Sequence, residues 1–345
     1  MAQAVTLYDH IAENNRKTVL LVALFPIALV ILMAIACVCA ISIIDDRDCT
    51  LEGIGYILSV FPNAKQYIHE NNAHLWSGVG YAFAYSFFIT VIALVWSFIS
   101  FNIGDKMIIN SCFANEINRK ENPKIYNMVE NVAIAAGLPM PKLYIINDSS
   151  LNAFATGKNP ENASVILTTG IIDRLEPIEL EAVIAHEMAH IGNRDIRLNM
   201  FIITGLSVFG FIADVIRRSL TVNTRRKSDK NSSGVYIFLF FIMLALIVFN
   251  AVIAPLIQLA VSRKREYAAD ATGALIIRNP LALASALEKI SQDARVEVLD
   301  KQPRVAIACI ANPSLSAFFK EKELFSTHPS IESRIYRLRQ SAGRL

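Results

Sequence analysis

Residues 183–192 read VIAHEMAHIG, two histidines and a glutamate in a run that is otherwise apolar. Histidines four apart lie on one face of a helix, so His186 and His190 can point at a single ion. Glu187 projects about 100° further round, in the arc that holds Leu180, Val183, Ile184 and Ile191. A carboxylate there is costly to bury unless it is paired or has a chemical task. The H-E-x-x-H spacing supplies one: two neutral imidazoles bind Zn²⁺, and the glutamate serves as general base. The competing reading is a pair of satisfied core histidines on an amphipathic helix.

A catalytic zinc site needs a third protein ligand and an open position. The other four histidines are His10, His69, His74 and His328. The first three lie beside or between the first two apolar runs, so the third ligand is expected to be a carboxylate. The stretch SRKREYAADATG (262–273) offers Glu266 and Asp270, four apart and hence on one face. Glu266 reads as the third ligand. Asp270 reads as its neighbour, accepting a hydrogen bond from a ligating imidazole and fixing its tautomer. The alternative for the acids is a charged helix end just outside a membrane; Arg263, Lys264 and Arg265 read as interfacial anchors in either case.

The elements that must position these groups are legible around them. EPIELEAVIAHEMAHI (176–191) reads as a helix with Pro177 in its first turn. KLYIIND (142–148) and SVILTTG (164–170) read as strands, and NAFATG (152–157) between them as a third. Residues 282–290 and 331–340 read as helices. The polar part is therefore α+β, split in sequence by a hydrophobic hairpin.

The chain has 345 residues, 54% hydrophobic and 18% charged, against about 45–50% and about 25% for ordinary soluble domains. Four apolar runs carry the excess: 18–44, 79–101, 196–216 and 235–262. About 20 apolar residues cross a bilayer core. The first, second and fourth runs are uncharged; the third holds Arg197, Asn199 and Asp214. The first is too long for a cleaved signal, whose apolar region is about 7–15 residues. The expected order is an N-terminal segment (1–17), helix one (18–44), an outer loop (45–78) and helix two (79–101). A first catalytic part (102–195), the third apolar segment (196–216), a basic loop (217–234), helix four (235–262) and a second catalytic part (263–345) follow. A net charge of +3 gives no case for a nucleic-acid partner. Five cysteines without metal or framework spacing give none for a stapled secreted fold.

Four motifs in order, NAFATG, HEMAH followed by GNRD, SRKREYAAD and THPSIESRI, resemble those of the HtpX-type membrane zinc metalloproteases, relatives of the CAAX prenyl proteases. The resemblance implies a zincin, gluzincin-like catalytic domain with a small sheet, fused to about four transmembrane helices. It places one Zn²⁺ on His186, His190 and Glu266, with Glu187 as catalytic base. It makes Asn152 a hydrogen-bond partner of substrate backbone, and Ala153, Phe154 and Ala155 a strand to which an extended substrate adds. It sets His328 near the metal as a stabiliser of the oxyanion. It leaves Arg334 to orient the site or pair with a carboxylate, and Asp195 to organise the end of the histidine-bearing helix. The stretch 45–78 is longer than the family's usual loop.

His190 precedes the third apolar run by a few residues and Glu266 follows the fourth by four. At 1.5 Å per residue the ligands are expected within about 5–15 Å of the membrane surface. Arg16 and Lys17 precede the first run and DDRD (45–48) follows it, which sets the catalytic part on the cytoplasmic side of the inner membrane. The basic loop runs against that orientation. The expected partners are the bilayer and membrane-protein or unfolded polypeptide substrates, in a quality-control role. The alternatives are processing of lipidated or specific tails, and a zinc-binding membrane scaffold without chemistry. Residues 306–319 read as a surface excursion rather than as a plug over the site.

Overall fold

In a computed structural model of the chain, the described residues are 16, 91, 94–96, 98–99, 102–200, 202–204, 218, 244, 263–293, 309–310 and 329–342. The chain divides into two units, one of Met1–Leu20, Ile99–Gly205 and Pro255–Leu345, the other of Leu21–Phe98 and Leu206–Ala254. The site and its supports lie in the first. Among the described residues no helix is long and apolar enough to cross a membrane; the four apolar runs lie mostly outside the described residues, as do the basic loop 217–234, apart from Arg218, and His328.

Four strands make one mixed sheet: β1 (Asn115–Ile117), β2 (Lys142–Ile146), β3 (Ala153–Gly157) and β4 (Ala163–Thr168), in the order β1-β2-β4-β3. β1 runs antiparallel to β2, β2 parallel to β4, and β3 antiparallel to β4. β4 is fully buried, with Ala163, Val165 and Leu167 on one face and Ser164, Ile166 and Thr168 on the other, as a central strand covered on both sides is. β3 is an edge strand, yet all five of its residues are buried. The three strands read from sequence are β2, β3 and β4; β1, three residues without alternation, carries no such pattern.

Helix α1 (Pro123–Ala136) starts at Asn122, whose Oδ1 accepts the Ile125 N–H at 3.2 Å, and stops at Gly137 in the left-handed region. That is a standard start and stop signal. After the short α2 (Thr169–Arg174), α3 (Pro177–Gly192) opens with Pro177 and with the Glu176 N–H bonded to the Glu179 carboxylate at 2.8 Å. Residues Leu180 and Ala182–Ile191 of α3 are all buried. A helix covered on every side is held rigidly, and this is the helix that carries the histidines. Glu179 also takes Lys289 Nζ at 2.7 Å and Ser285 Oγ at 2.6 Å from α5 (Pro280–Gln292), tying the two helices. Burial alone would raise that carboxyl; these bonds outweigh it and hold it below its ordinary value.

Helix α4 (Arg263–Ile277) lies directly on α3. Gly273 makes the approach possible, since a Cβ there would sit 2.9 Å from the His186 backbone nitrogen and 3.0 Å from its Cα. Gly273→Ala gains about 1 kcal/mol of helix propensity. It loses more, because backbone on both sides must move; overpacking of this kind costs about 1–3 kcal/mol. The expected result is a melting temperature lower by several degrees and a looser metal site, read by thermal unfolding and chelator competition. Helix α6 (Ile331–Ser341), capped by Ser330, completes the unit and brings Arg334 into its interior.

Candidate metal centre and active site

One turn of α3 presents both histidines. Their rings meet edge to face with centroids 4.7 Å apart, and the two Nε2 atoms are 3.1 Å apart. Glu266, in the first turn of α4, faces both: one carboxylate oxygen is 3.9 Å from His186 Nε2, the other 3.7 Å from His190 Nε2. The three ligand atoms lie within 4.8 Å of one another, and all three residues are buried. Tetrahedral bonds of about 2.0–2.1 Å place neighbouring ligand atoms about 3.3–3.4 Å apart. The observed separations bracket that value.

The other nitrogen of each ring faces its own carboxylate. His186 Nδ1 is 3.1 Å from Asp270 Oδ1, and His190 Nδ1 is 2.8 Å from Asp195 Oδ2. A carboxylate at Nδ1 holds the proton there and turns the Nε2 lone pair outward. Two such lone pairs 3.1 Å apart repel unless a cation or a proton lies between them. The pull is visible in the protonation. Burial lowers His186. Burial would lower His190 too, but Asp195, Glu266 and Glu187 outweigh it and push it up to about 9. The donor set thus fits a divalent cation, the charge that the pair otherwise draws from a proton.

Each carboxylate is in turn held by an arginine. Arg334, fully buried, donates from Nε to Asp270 Oδ2 at 2.9 Å and from Nη2 to Oδ1 at 2.7 Å. Arg265 donates to Asp195 Oδ1 at 3.3 Å and to Asn199 Oδ1 at 3.2 Å. Two arginine–aspartate–histidine chains therefore converge on one point. The first was half legible in sequence, with Asp270 beside an imidazole and Arg334 offered a carboxylate. In the second, Asp195 does more than finish a helix: it fixes the tautomer of His190. Arg265, read as an interfacial anchor, is buried behind it. The available signal was an acid one turn beyond the second histidine and a basic residue adjoining Glu266; neither is distinctive.

Glu187 is buried beside the ligands, and neither of its carboxylate oxygens has a hydrogen-bond partner among the described residues. Burial pushes it up to about 7, with Glu266 adding to the rise; His190 and Arg334 oppose it. An orphaned carboxyl poised near neutrality suits a group that takes and returns a proton. Ala153, Phe154 and Ala155 form the start of β3 against α3. Asn152 is buried, and its Oδ1 accepts the Ala153 N–H at 3.0 Å. Its side chain thus braces the strand it precedes.

A family model described as peptidase family M48 matches residues 119–342. A protein named Protease HtpX homolog from Tropheryma whipplei (strain Twist) is 42% identical over 253 residues, 73% of this chain and 84% of the relative. Another of that name, from Bacteroides fragilis, is 36% identical over 349 residues, 98% of this chain and 99% of the relative. The crystal structure of S. mikatae Ste24p is similar at 21% identity and a TM-score of 0.39, covering 86% of this chain and 65% of that one.

Proposed function

We propose, from the premise that the chain belongs to peptidase family M48 and is a metal-dependent protease, that it is a zinc endopeptidase of the zincin class acting on membrane proteins at the bilayer surface. The observation that carries this reading is the convergence of His186, His190 and Glu266 on one point, with the unpartnered carboxylate of Glu187 alongside. Two imidazoles and one carboxylate form a ligand set that leaves a position open for water and substrate.

His186, His190 and Glu266 would hold the ion, which would supply acidification of a water molecule and polarisation of the scissile carbonyl. Asp270 and Asp195 keep the Nδ1 protons in place, so both Nε2 atoms stay available. Glu187 accepts the proton of the attacking water at one of its free oxygens and delivers it to the departing amine. No acyl-enzyme is required, since water is the nucleophile. β3, an edge strand beside α3, offers its backbone to an extended substrate, and His328 serves the developing oxyanion. A metal scaffold without chemistry has no use for a non-ligand carboxylate in such a position.

The long uncharged runs 18–44, 79–101 and 235–262 support a place in the inner membrane. So does the described part of the second run: Val91, Leu94, Val95 and Phe98 are helical and exposed at i, i+3, i+4 and i+7. A stripe of that kind suits lipid rather than water. The catalytic unit is assigned to the cytoplasmic face from the charges flanking the first run, and clearance of damaged membrane proteins is the role it would serve there.

Purified protein stripped by a chelator is expected to lose cleavage and to regain it on addition of one equivalent of Zn²⁺. With metal bound, a membrane-embedded substrate in proteoliposomes should be cut about 10-fold faster than casein, an effective-concentration gain of modest size. Chelator-resistant cleavage would sink the metal reading. Equal rates on the two substrates would sink the bilayer reading.

A further inference from the structure

An edge strand exposes a row of backbone donors and acceptors that must go somewhere. β4 covers one side of β3. On the other side a distant piece of the same chain is seated. Cys309 pairs with Phe154 in an antiparallel bridge. The Ile310 N–H donates to the Ala153 carbonyl at 2.9 Å, and the Ile310 carbonyl accepts from Arg334 Nη1 at 2.9 Å. Both backbone groups of one residue are thus read by the catalytic unit, one by the strand edge and one by a buried guanidinium.

The side chains alternate as those of an extended peptide do. Ile310, 2% exposed, enters the core cluster that contains Leu338, while Cys309 enters a second cluster with Phe154, Cys112 and Met200. The place adjoins the chemistry. The guanidinium that holds the Ile310 carbonyl also grips Asp270 behind His186 and comes within 3.6 Å of Glu266. β3 itself packs against α3, the helix that carries Glu187 and both histidines. A peptide added to this edge therefore passes the base and the metal ligands.

We propose that Cys309–Ile310 occupies, as an internal stand-in, the edge where substrate binds, and that Ala153, Arg334 and the apolar wall around Ile310 form a subsite for one aliphatic residue of an extended peptide. The inference rests on the proteolytic reading above and adds to it an occupant and a preference. Two peptides cannot share one strand edge, so substrate competes with Ile310. A longer substrate strand, pairing with more of β3, displaces it. Arg334 recognises a carbonyl, which every peptide supplies; selectivity falls to the pocket, where an aliphatic side chain is buried and a charged one is not tolerated.

The test uses full-length, zinc-loaded protein and the capped tetrapeptides ACIA and ACDA, which present the 308–311 sequence with and without the aliphatic residue. Fluorescently labelled ACIA should bind the Glu187→Gln protein, and ACDA should bind at least about 10-fold more weakly. Ile310→Gly added to that background should tighten ACIA about 10-fold. In otherwise wild-type protein, Ile310→Gly should lower KM for a fluorogenic peptide with kcat and zinc content unchanged. Equal binding of ACIA and ACDA, or of neither, overturns the subsite. Unchanged ACIA affinity and KM in a folded Ile310→Gly protein overturns the stand-in. If that variant does not fold, inhibition of the wild-type enzyme by ACIA but not ACDA decides the matter, and its absence overturns the proposal. These binding readouts do not depend on turnover. A protein that binds ACIA but shows no Glu187-dependent cleavage contradicts the proteolytic reading alone.

Discussion

Glu187→Gln protein is expected to keep its metal and to lose cleavage by about 10²- to 10⁴-fold, the range that a positioned general base supplies. Glutamine matches the shape of glutamate but cannot take a proton. His186, His190 and Glu266 are untouched by the change, so metal content should equal that of the wild type. A variant that cleaves normally would remove Glu187 from the reaction. The same substitution has a second, opposite effect on the metal-free protein. Glu187 rises from 4.5 to about 7 on folding, because burial disfavours its charge and Glu266 adds to the rise. The folded state therefore holds a proton that the unfolded state has released between about pH 4.5 and 7. Stability falls as pH rises through that window and stays reduced above it. A shift of this size corresponds to a loss on the order of 3 kcal/mol. Glutamine carries no such cost. Metal-free Glu187→Gln protein should thus match or trail the wild type at pH 4 and exceed it at pH 8, measured by thermal unfolding. With metal bound, the nearby positive charge favours the carboxylate. The acid limb of kcat/KM should then fall at or below about pH 7, with activity rising as pH rises through it.

How much of this was legible depends on the distance over which each signal acts. The H-E-x-x-H helix announces itself within five residues, because helical spacing puts both imidazoles on one side. Glu266 was reachable by elimination and by its pairing with Asp270 at a helical interval. The strands β2, β3 and β4 show β-branched and apolar runs bounded by turn residues. Helix α1 carries an Asn-Pro start as clear as that of α5, and a Gly stop besides, yet it has no chemistry to draw attention to it. What stayed hidden depends on tertiary approach. Arg265 shows in sequence only as one of three consecutive basic residues, and nothing local says that it turns inward to Asp195. Ile310 lies in a stretch read as a surface excursion; its burial depends on an edge of β3 about 150 residues earlier. The same holds for Gly273, an ordinary helix glycine until α3 is laid against it.

Arg334 should be the most damaging position to neutralise among those that never touch the metal. It is completely buried and gives two hydrogen bonds to one carboxylate. Burial alone would raise the Asp270 carboxyl; Arg334 and His186 instead hold it down at about 2. Arg334→Met leaves Asp270 buried with half its partners, and breaking a buried pair in this way costs about 3–5 kcal/mol. Lysine should not rescue it, since a single ammonium cannot supply the paired donors of a planar fork. The loss propagates to the metal. With Asp270 less firmly ionised, the Nδ1 proton of His186 is less firmly held and its Nε2 lone pair less reliably aimed at the ion. Loss of an outer partner of this kind weakens metal binding by about 10- to 100-fold. A double substitution separates the two effects. Arg334→Met with Asp270→Leu removes the stranded charge, so melting temperature should recover part of its fall. Metal affinity should not recover, because the imidazole has then lost its acceptor altogether. Chelator competition and thermal unfolding on the two single variants and the double variant measure both quantities. Metal binding restored in the double variant would mean that Arg334 serves the fold alone. Wild-type affinity in Arg334→Met would break the chain of contacts from α6 to the site.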